Sequence, residues 1–197
     1  MTIRPFTSKE QPFEINHVVG IADRAHQKND ATTKLVFFFC TCKKHEKVLS
    51  ADIDVDGINA TQTIISTLEP YKDQFQLIFL KGLEMGGLNI IDIDAVHKAL
   101  GRPVIVITEQ EPPSLSYTIY EELKQAPGKR EHLANLEKAG EAIYYYRPRS
   151  NNGGVFYCMR GIDEYHAQQC LKKFLAKDHM ETLPECLVFA RKAADGS

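Results

Sequence analysis

Three carboxylates and one lysine in the first half of the sequence could form a catalytic or binding group. Asp23 ends an apolar stretch, Asp56 precedes Gly57, and Glu84 lies in the glycine-containing segment that follows Lys81. Carboxylates grouped near a phosphate hold Mg²⁺ or Mn²⁺, and the metal lowers the pKa of a bound water that hydrolyses a phosphodiester. The alternative is that each carboxylate caps a turn or faces water.

Lys81 changes the charge expected of such a group. Its ammonium can replace a metal ion electrostatically among carboxylates, and it is also a point-charge ligand for phosphate. A lysine that is only salt-bridged within the fold is an equally weighted alternative. We therefore predict Asp23 and Asp56 as catalytic residues, and as metal ligands only if a metal binds at all. No cofactor is expected otherwise.

The segment from Leu77 to Ile93 is predicted to position the site. It begins with a short apolar run typical of a strand buried on both faces, continues through glycines, and reaches a helix start at Asp92. A strand, a glycine loop and a helix start form ligand sites at the carboxyl end of parallel sheets. The predicted binding residues lie in and beside this loop: Lys81, Gly82, Glu84, Gly86, Gly87 and Asn89.

The elements around this loop follow from hydrophobic periodicity. Strands are predicted at 15–23, 34–42, 47–56, 76–80 and 103–108, with two short closing strands at 142–147 and 155–160. Helices are predicted at 60–71 with Asn59 as N-cap, from Asp92 or Asp94 to Leu100, and at 114–125, 129–139, 163–176 and 184–194.

This order of elements predicts an α/β fold with one mixed sheet. Three consecutive strands form an antiparallel meander, and the later strands join through right-handed crossovers as parallel neighbours, with helices on both faces. That is the ribonuclease-H-like arrangement. In it, acidic residues gather on adjacent strand ends and can hold divalent metals.

The totals describe an ordinary globular chain. It has 197 residues, 43% hydrophobic and 25% charged, and we expect a single domain over 1–197 with 1–14 as an extended lead-in. The net charge of −2 gives no global positive field for nucleic acid. Five scattered cysteines favour reduced thiols in a cytoplasmic protein, and no apolar run is long enough to span a membrane. The oligomeric state is not predicted.

Two motifs resemble those of a known family. Asp-Val-Asp-Gly-Ile-Asn-Ala-Thr at 54–61 looks like that family's Val-Asp-Gly-x-Asp-Ala-Thr motif. The segment 80–93 looks like its Leu-Asp-Gly-x-x-x-Gly-Gly-Phe-Asn-Val-Val-Asp-Ile motif, and Gly-Arg-Pro-Val-Ile-Val at 101–106 resembles a further strand motif. By these residues the chain is identified as a member of the largely archaeal endonuclease-V-like family UPF0215 (domain of unknown function 99), over about residues 16–194.

The resemblance implies a distant relation to endonuclease V, a metal-dependent nuclease that cuts near deaminated bases. The three acidic positions that this relation implies are Ala22, Asp56 and Lys81 here, and a histidine usual in the last helix is Arg191. Asp23 is retained beside Ala22, but neighbouring strand positions face opposite sides. Two-metal hydrolysis needs several oxygen ligands, so the ligand set that the resemblance implies is broken.

Two functions follow from these residues. The favoured one is a catalytically degenerate endonuclease-V-like protein whose Lys81 and glycine loop bind phosphate in a nucleic-acid or nucleotide cleft. The alternative is an active metal-dependent nucleic-acid phosphodiesterase that uses Asp23, Asp56 and Glu84 with magnesium or manganese. A scaffold without a small ligand is a third interpretation, and no membrane partner is expected.

Overall fold

The strands and helices alternate along the chain much as the hydrophobic pattern predicts. The computed structural model describes residues 14–27, 29–41, 45–108, 128–140, 143–148, 153–176 and 183–196. Within these ranges the strands are β1 His17–Asp23, β2 Thr32–Thr41, β3 His45–Asp54, β4 Leu77–Lys81, β5 Glu84–Met85, β6 Asn89–Ile90, β7 Val104–Thr108, β8 Tyr144–Tyr146 and β9 Val155–Arg160. The helices are α1 Ala60–Leu68, α2 Ile93–Leu100, α3 Lys129–Gly140, α4 Glu164–Phe174 and α5 Glu185–Asp195, with a 3₁₀ helix Glu69–Gln74 after α1.

One seven-stranded sheet runs through the described residues in the order β3-β2-β1-β4-β7-β9-β8. The central neighbours β1, β4 and β7 are parallel, and every other pair in this sheet is antiparallel. This confirms the predicted meander followed by parallel strands. The predicted helix 114–125 and residues 1–13 of the predicted lead-in lie outside the described residues.

The sheet has two apolar faces, and each is covered by different helices. On β1, Val19 and Ile21 belong to the cluster that includes α1 and α2, and we call this side the front face. Val18 and Ala22 belong to the cluster that includes α4 and α5, and we call this side the back face. The alternation follows from the two-residue period of a strand. No helix in the described ranges is both long and apolar enough to cross a membrane.

The back-face helix α5 crosses β1 at very short range. A Cβ added at Gly20 would lie 2.6 Å from the backbone carbonyl carbon of Cys186. Only glycine therefore allows the first turn of α5 to rest directly on the strand backbone. Beyond this contact, Phe189 of α5 stacks on Phe38 of β2 with ring centroids 5.2 Å apart.

Three local predictions need correction or refinement. The third strand was predicted to reach Asp56 but ends at Asp54, because Asp56 adopts a left-handed conformation with φ 54° in the turn that follows. Asn59 occupies the N-cap position of α1, as predicted, yet its side chain makes no capping hydrogen bond. Of the two predicted caps for α2, Asp92 is the actual one, since its side chain accepts from the Ala95 backbone N–H at 2.9 Å.

Candidate functional site

The predicted site residues gather at one edge of the sheet. β1, β4 and β7 are parallel, and β3 runs in the same direction because β2 is antiparallel to both β1 and β3. The carboxyl ends of these strands, near Asp23, Asp54, Lys81 and Thr108, therefore lie together. We call this the carboxyl edge.

The glycine loop, residues 82–88, is tied to this edge by two aspartates. The Gly86 backbone N–H donates to Asp23 Oδ2 at 2.9 Å, and the Leu88 backbone N–H donates to Asp56 Oδ1 at 2.9 Å. The Asp56 backbone N–H donates in turn to the Gly86 carbonyl at 2.8 Å. Asp23 and Asp56 thus both contact the loop, and each accepts a hydrogen bond from the loop backbone with a carboxylate oxygen.

The loop itself depends on two glycines whose backbone is left-handed. Gly86 has φ 57°, and a Cβ there would lie 2.9 Å from both Ile53 Cδ1 and Thr33 Cγ2. Gly87 has φ 84°, and a Cβ there would run into Asp56 Oδ1. Both positions require glycine for conformation and for space. The sequence did not predict that the loop carries a short antiparallel hairpin of its own, β5 with β6.

Asn89 holds the loop to the start of α1. Its side chain is 1% exposed, and Oδ1 accepts from the Ala60 backbone N–H at 3.0 Å. Its Nδ2 donates to Asn59 Oδ1 at 3.0 Å and to the Asp54 carbonyl at 3.2 Å. Asn89 was predicted as a binding residue, but its amide is fully used inside the fold, in place of the cap that Asn59 was predicted to provide.

Lys81 and Ala22 lie side by side on the opposite, back face of the same edge. The parallel register pairs Ile21 with Leu80, so the next pair is Ala22 with Lys81. Leu77 and Phe79 belong to the back-face cluster, and alternation carries Lys81 to the same side. Lys81 is half-buried, and within the described part of the chain its ammonium has no hydrogen-bond or ion-pair partner.

The residues present do not fit a divalent metal at these positions. A methyl group and an ammonium stand where two oxygen ligands are implied by the resemblance, and neither coordinates Mg²⁺ or Mn²⁺. Across the described ranges, no three His, Cys, Asp or Glu side chains come together as a metal-binding group. Glu84 is exposed on β5, and it forms no such group with Asp23 and Asp56. Arg191 is half-buried on α5.

A polar pocket of about 580 Å³ adjoins the carboxyl edge and was not predicted. Two cationic side chains, Arg24 and Lys34, line it together with the imidazole of His26, and Lys34 forms an ion pair with Asp52 at 2.9 Å. Residues 24–33 lie between the first two predicted strands, where no site residue was predicted. The sequence signal for this pocket is that Arg24 continues the two-residue alternation of the preceding strand, on the same side as Ala22. That signal is informative only once the strand register is known. The full lining comprises Arg24, Ala25, His26, Gln27, Asp30, Thr32, Thr33, Lys34 and Asp52.

The described cysteines do not supply an activated nucleophile. Cys40, Cys158, Cys170 and Cys186 are all buried free thiols. Burial raises the pKa of Cys158 to about 11 and that of Cys170 to about 12, so both stay protonated near neutral pH.

Comparison with solved structures identifies the fold. Endonuclease V of Ciona intestinalis, in complex with a 24mer DNA containing an inosine followed by a ribo-adenosine, superposes with a TM-score of 0.59 at 12% identity, covering 92% of this chain and 85% of that one. Endonuclease V of Bacillus subtilis superposes with a TM-score of 0.57 at 12% identity, covering 89% and 78%. The chain therefore has the endonuclease-V-like, ribonuclease-H-like fold that the sequence predicted.

The sequence comparisons then give the family. The family model described as Endonuclease dU matches residues 14–197, and the chain belongs to this family. A UPF0215 protein of Pyrococcus furiosus is 28% identical over 186 residues, which cover 90% of this chain and 89% of that one. A protein of unknown function from Archaeoglobus fulgidus superposes with a TM-score of 0.76 at 23% identity, covering 92% and 99%.

Proposed function

We propose that this protein binds the phosphodiester backbone of nucleic acid at the back face of its carboxyl edge and does not cleave it by a metal-assisted step. One observation carries the proposal. Lys81 stands beside Ala22, where the resemblance implies two carboxylates, and its half-buried ammonium has no partner among the described residues.

The exchange of a carboxylate for an ammonium reverses the sign of the charge on the ligand that this position attracts. A pair of carboxylates repels phosphate unless a cation lies between them, whereas a partly desolvated ammonium attracts phosphate directly. The apolar Ala22 removes a negative charge from the neighbouring strand and adds no competing ion pair. The site therefore favours an anion without a bridging metal.

The phosphate contact rests on Lys81 more than on the glycine loop. The N–H groups of Gly82, Gly86 and Leu88 donate to Ile107, Asp23 and Asp56 respectively, so these three are not available as an anion nest. Gly82 contributes differently: a Cβ there would meet nothing closer than 3.9 Å, which leaves open space beside Lys81. The loop shapes the approach, and the ammonium supplies the charge.

The names of the relatives suggest which nucleic acid to try first. The family is described as Endonuclease dU, and the Ciona structure holds DNA containing an inosine. DNA strands with one deoxyuridine or one deoxyinosine are therefore the first probes, beside matched unmodified strands.

Binding is tested by fluorescence anisotropy of these strands in EDTA, with the wild type, Lys81→Ala and a control, Lys98→Ala. Lys98 is exposed near the carboxyl end of α2, which leads into the amino end of β7 and so away from the carboxyl edge. Removing one phosphate contact lowers the slope of log affinity against log salt by about 0.7 for a single strand. We expect that change for Lys81→Ala and none for Lys98→Ala. Equal affinity and slope in all three proteins contradicts the proposal.

The absence of metal-assisted cleavage is tested by placing carboxylates at positions 22 and 81, where the resemblance implies them. Calorimetric titration of Mn²⁺ compares the wild type with the double variant Ala22→Asp, Lys81→Asp. We expect saturable binding only in the double variant, because two carboxylates on adjacent strands then face one ion. Saturable binding and strand cleavage by the wild type, both lost in Asp56→Asn, would instead support the metal-dependent phosphodiesterase that uses Asp23, Asp56 and Glu84.

A further inference from the structure

The ladder between β1 and β2 continues beyond the last residue of β1. Asp23 pairs with Leu35, and the Arg24 backbone N–H then donates to the Lys34 carbonyl at 2.8 Å. Arg24 therefore keeps the alternation of the strand and falls on the same side as Ala22, the back face. Lys34 and Asp52 are cross-strand partners on that side, as their ion pair shows.

The strand register places Ala22 and the charged residues in two adjacent rows, each of which runs across neighbouring strands of the sheet. The first row contains Lys81 of β4 and Ala22 of β1, and the second contains Arg24, Lys34 and Asp52. Arg24 is thus the diagonal neighbour of Lys81 on one face. From the spacing of strands and of alternate residues, their Cα atoms are about 8 Å apart.

Arg24 is a cation of the polar pocket that has no partner among the described residues. Lys34 is held by Asp52, and Asp30 accepts from the Gln27 backbone N–H at 2.8 Å. The guanidinium of Arg24 is half-buried and has no hydrogen-bond partner in the described ranges, although it lines the pocket. A planar guanidinium with free N–H donors at a pocket wall can bind a phosphate through two parallel hydrogen bonds.

We propose that Arg24 and Lys81 bind neighbouring phosphates of one nucleic-acid strand, which runs diagonally over the back face of the carboxyl edge and into the polar pocket. This inference rests on the proposed function and extends it from a single contact to a path. Both side chains are long, and their separation across adjacent strands lets each reach a different phosphate of one backbone.

The acidic side of β3 limits the path. Asp52 and Asp54 are exposed beyond Lys34, and Asp52 is only partly neutralised because 65% of its side chain is accessible to solvent. Negative charge there repels a polyanion. The nucleic-acid strand therefore enters the pocket on its Arg24 side and stops short of Asp52 on its β3 side. The contact is short for this reason, and Asp52→Asn should tighten binding.

The test measures binding of a fluorescent fifteen-nucleotide oligothymidylate in EDTA as a function of salt. We expect Arg24→Ala to weaken binding about tenfold and to lower the salt slope by about 0.7, as Lys81→Ala does, and the double variant to lower the slope by about 1.4. Arg24→Lys keeps the charge but loses the planar fork, so it should keep the slope and lose part of the affinity. Lys98→Ala is the matched control.

The outcomes separate this inference from the proposed function. If Lys81→Ala changes the slope and neither Arg24→Ala nor Arg24→Gln does, the path is wrong and the single contact at Lys81 stands. If the wild type binds no strand at any salt concentration, both are wrong. Circular dichroism identifies a variant that fails to fold, and Arg24→Gln serves if Arg24→Ala is lost in that way.

Discussion

The front and back faces of the carboxyl edge carry different chemistry although their residues alternate along the same strands. On the front face, Asp23 accepts a hydrogen bond from the glycine loop, and Asp56, in the turn after β3, and Asn89 hold the same loop. On the back face, Ala22 and Lys81 leave an ammonium without a described partner. Adjacent residues such as Ala22 and Asp23 thus belong to separate systems, one structural and one proposed to bind.

This contrast predicts that front-face substitutions change stability and back-face substitutions change binding. Hydrogen bonds within a buried network are costly to break, because each abandoned partner keeps its desolvation penalty. A half-exposed lysine contributes little to folding by comparison. The binding half of this prediction is tested by the Lys81 and Arg24 variants above. The stability half is tested by two front-face substitutions, and a pair of cysteine variants then compares the two cores, in order of expected size.

The largest effect is expected for Asn89→Ala. The substitution abandons the Ala60 backbone N–H, Asn59 Oδ1 and the Asp54 carbonyl in a site that is 1% exposed at Asn89. We expect a loss of about 3 kcal/mol in the free energy of unfolding, measured by urea denaturation at constant m-value. Gln62→Ala on the exposed side of α1 is the control. A loss below about 1 kcal/mol would mean that the network is not structural.

A smaller loss of stability is expected for Gly87→Ala. Its left-handed φ of 84° costs a side chain about 1 to 2 kcal/mol, and the new Cβ also meets Asp56 Oδ1. Gly101→Ala is the matched control, since φ there is 62° and nothing lies within 4 Å of the added Cβ. The difference between the two variants isolates the contact with Asp56. Equal losses would show that Asp56 moves aside freely.

The smallest effect is expected when one buried thiol is removed, either Cys158 of the front core or Cys170 of the back core. Burial raises the pKa of Cys158 to about 11 and of Cys170 to about 12, above the ordinary value of 9.0. Between the ordinary pKa of 9.0 and these raised pKa values, the two thiols lose their protons in the unfolded chain but keep them in the folded chain. The free energy of unfolding therefore falls as pH rises above 9.

Urea titrations from pH 8 to pH 10.5 measure this alkaline loss in the wild type, Cys158→Ala and Cys170→Ala. Each thiol contributes at most about 1.4 kcal/mol per pH unit, and each variant should show a shallower decline than the wild type. An unchanged slope in both variants would mean that other groups, such as tyrosines, cause the alkaline loss.

Most of the scaffold was predictable because its signals are local. The apolar run at Leu77 and the β-rich segment at Leu35 to Cys40 identify two buried strands from composition alone, and Asp92 and Gly101 delimit α2. The motif at 80–93 gave the family and pointed to the loop. These inferences need no knowledge of which strands are neighbours.

The contacts within the site were less predictable because they depend on long-range register. Asn89 caps α1 from 29 residues away, a partnership that no local pattern encodes. The placement of Arg24 diagonal to Lys81 can be recognised only when the pairing of β1 with β2 and β4 is known. The turn conformation of Asp56 is likewise set by its hydrogen bonds to the glycine loop, so the strand propensity around it was overridden.

The close contact of α5 with Gly20 has a consequence for biosynthesis. The two partners, Gly20 and Cys186, are separated by 166 positions, so the back face of β1 stays uncovered until nearly all of this sequence has left the ribosome. Until then Val18, Ala22 and Phe38 lack their cover, and an apolar surface of that kind invites aggregation or chaperone binding. Docking of α5 is therefore expected to be the late event that commits the nascent chain to its native state.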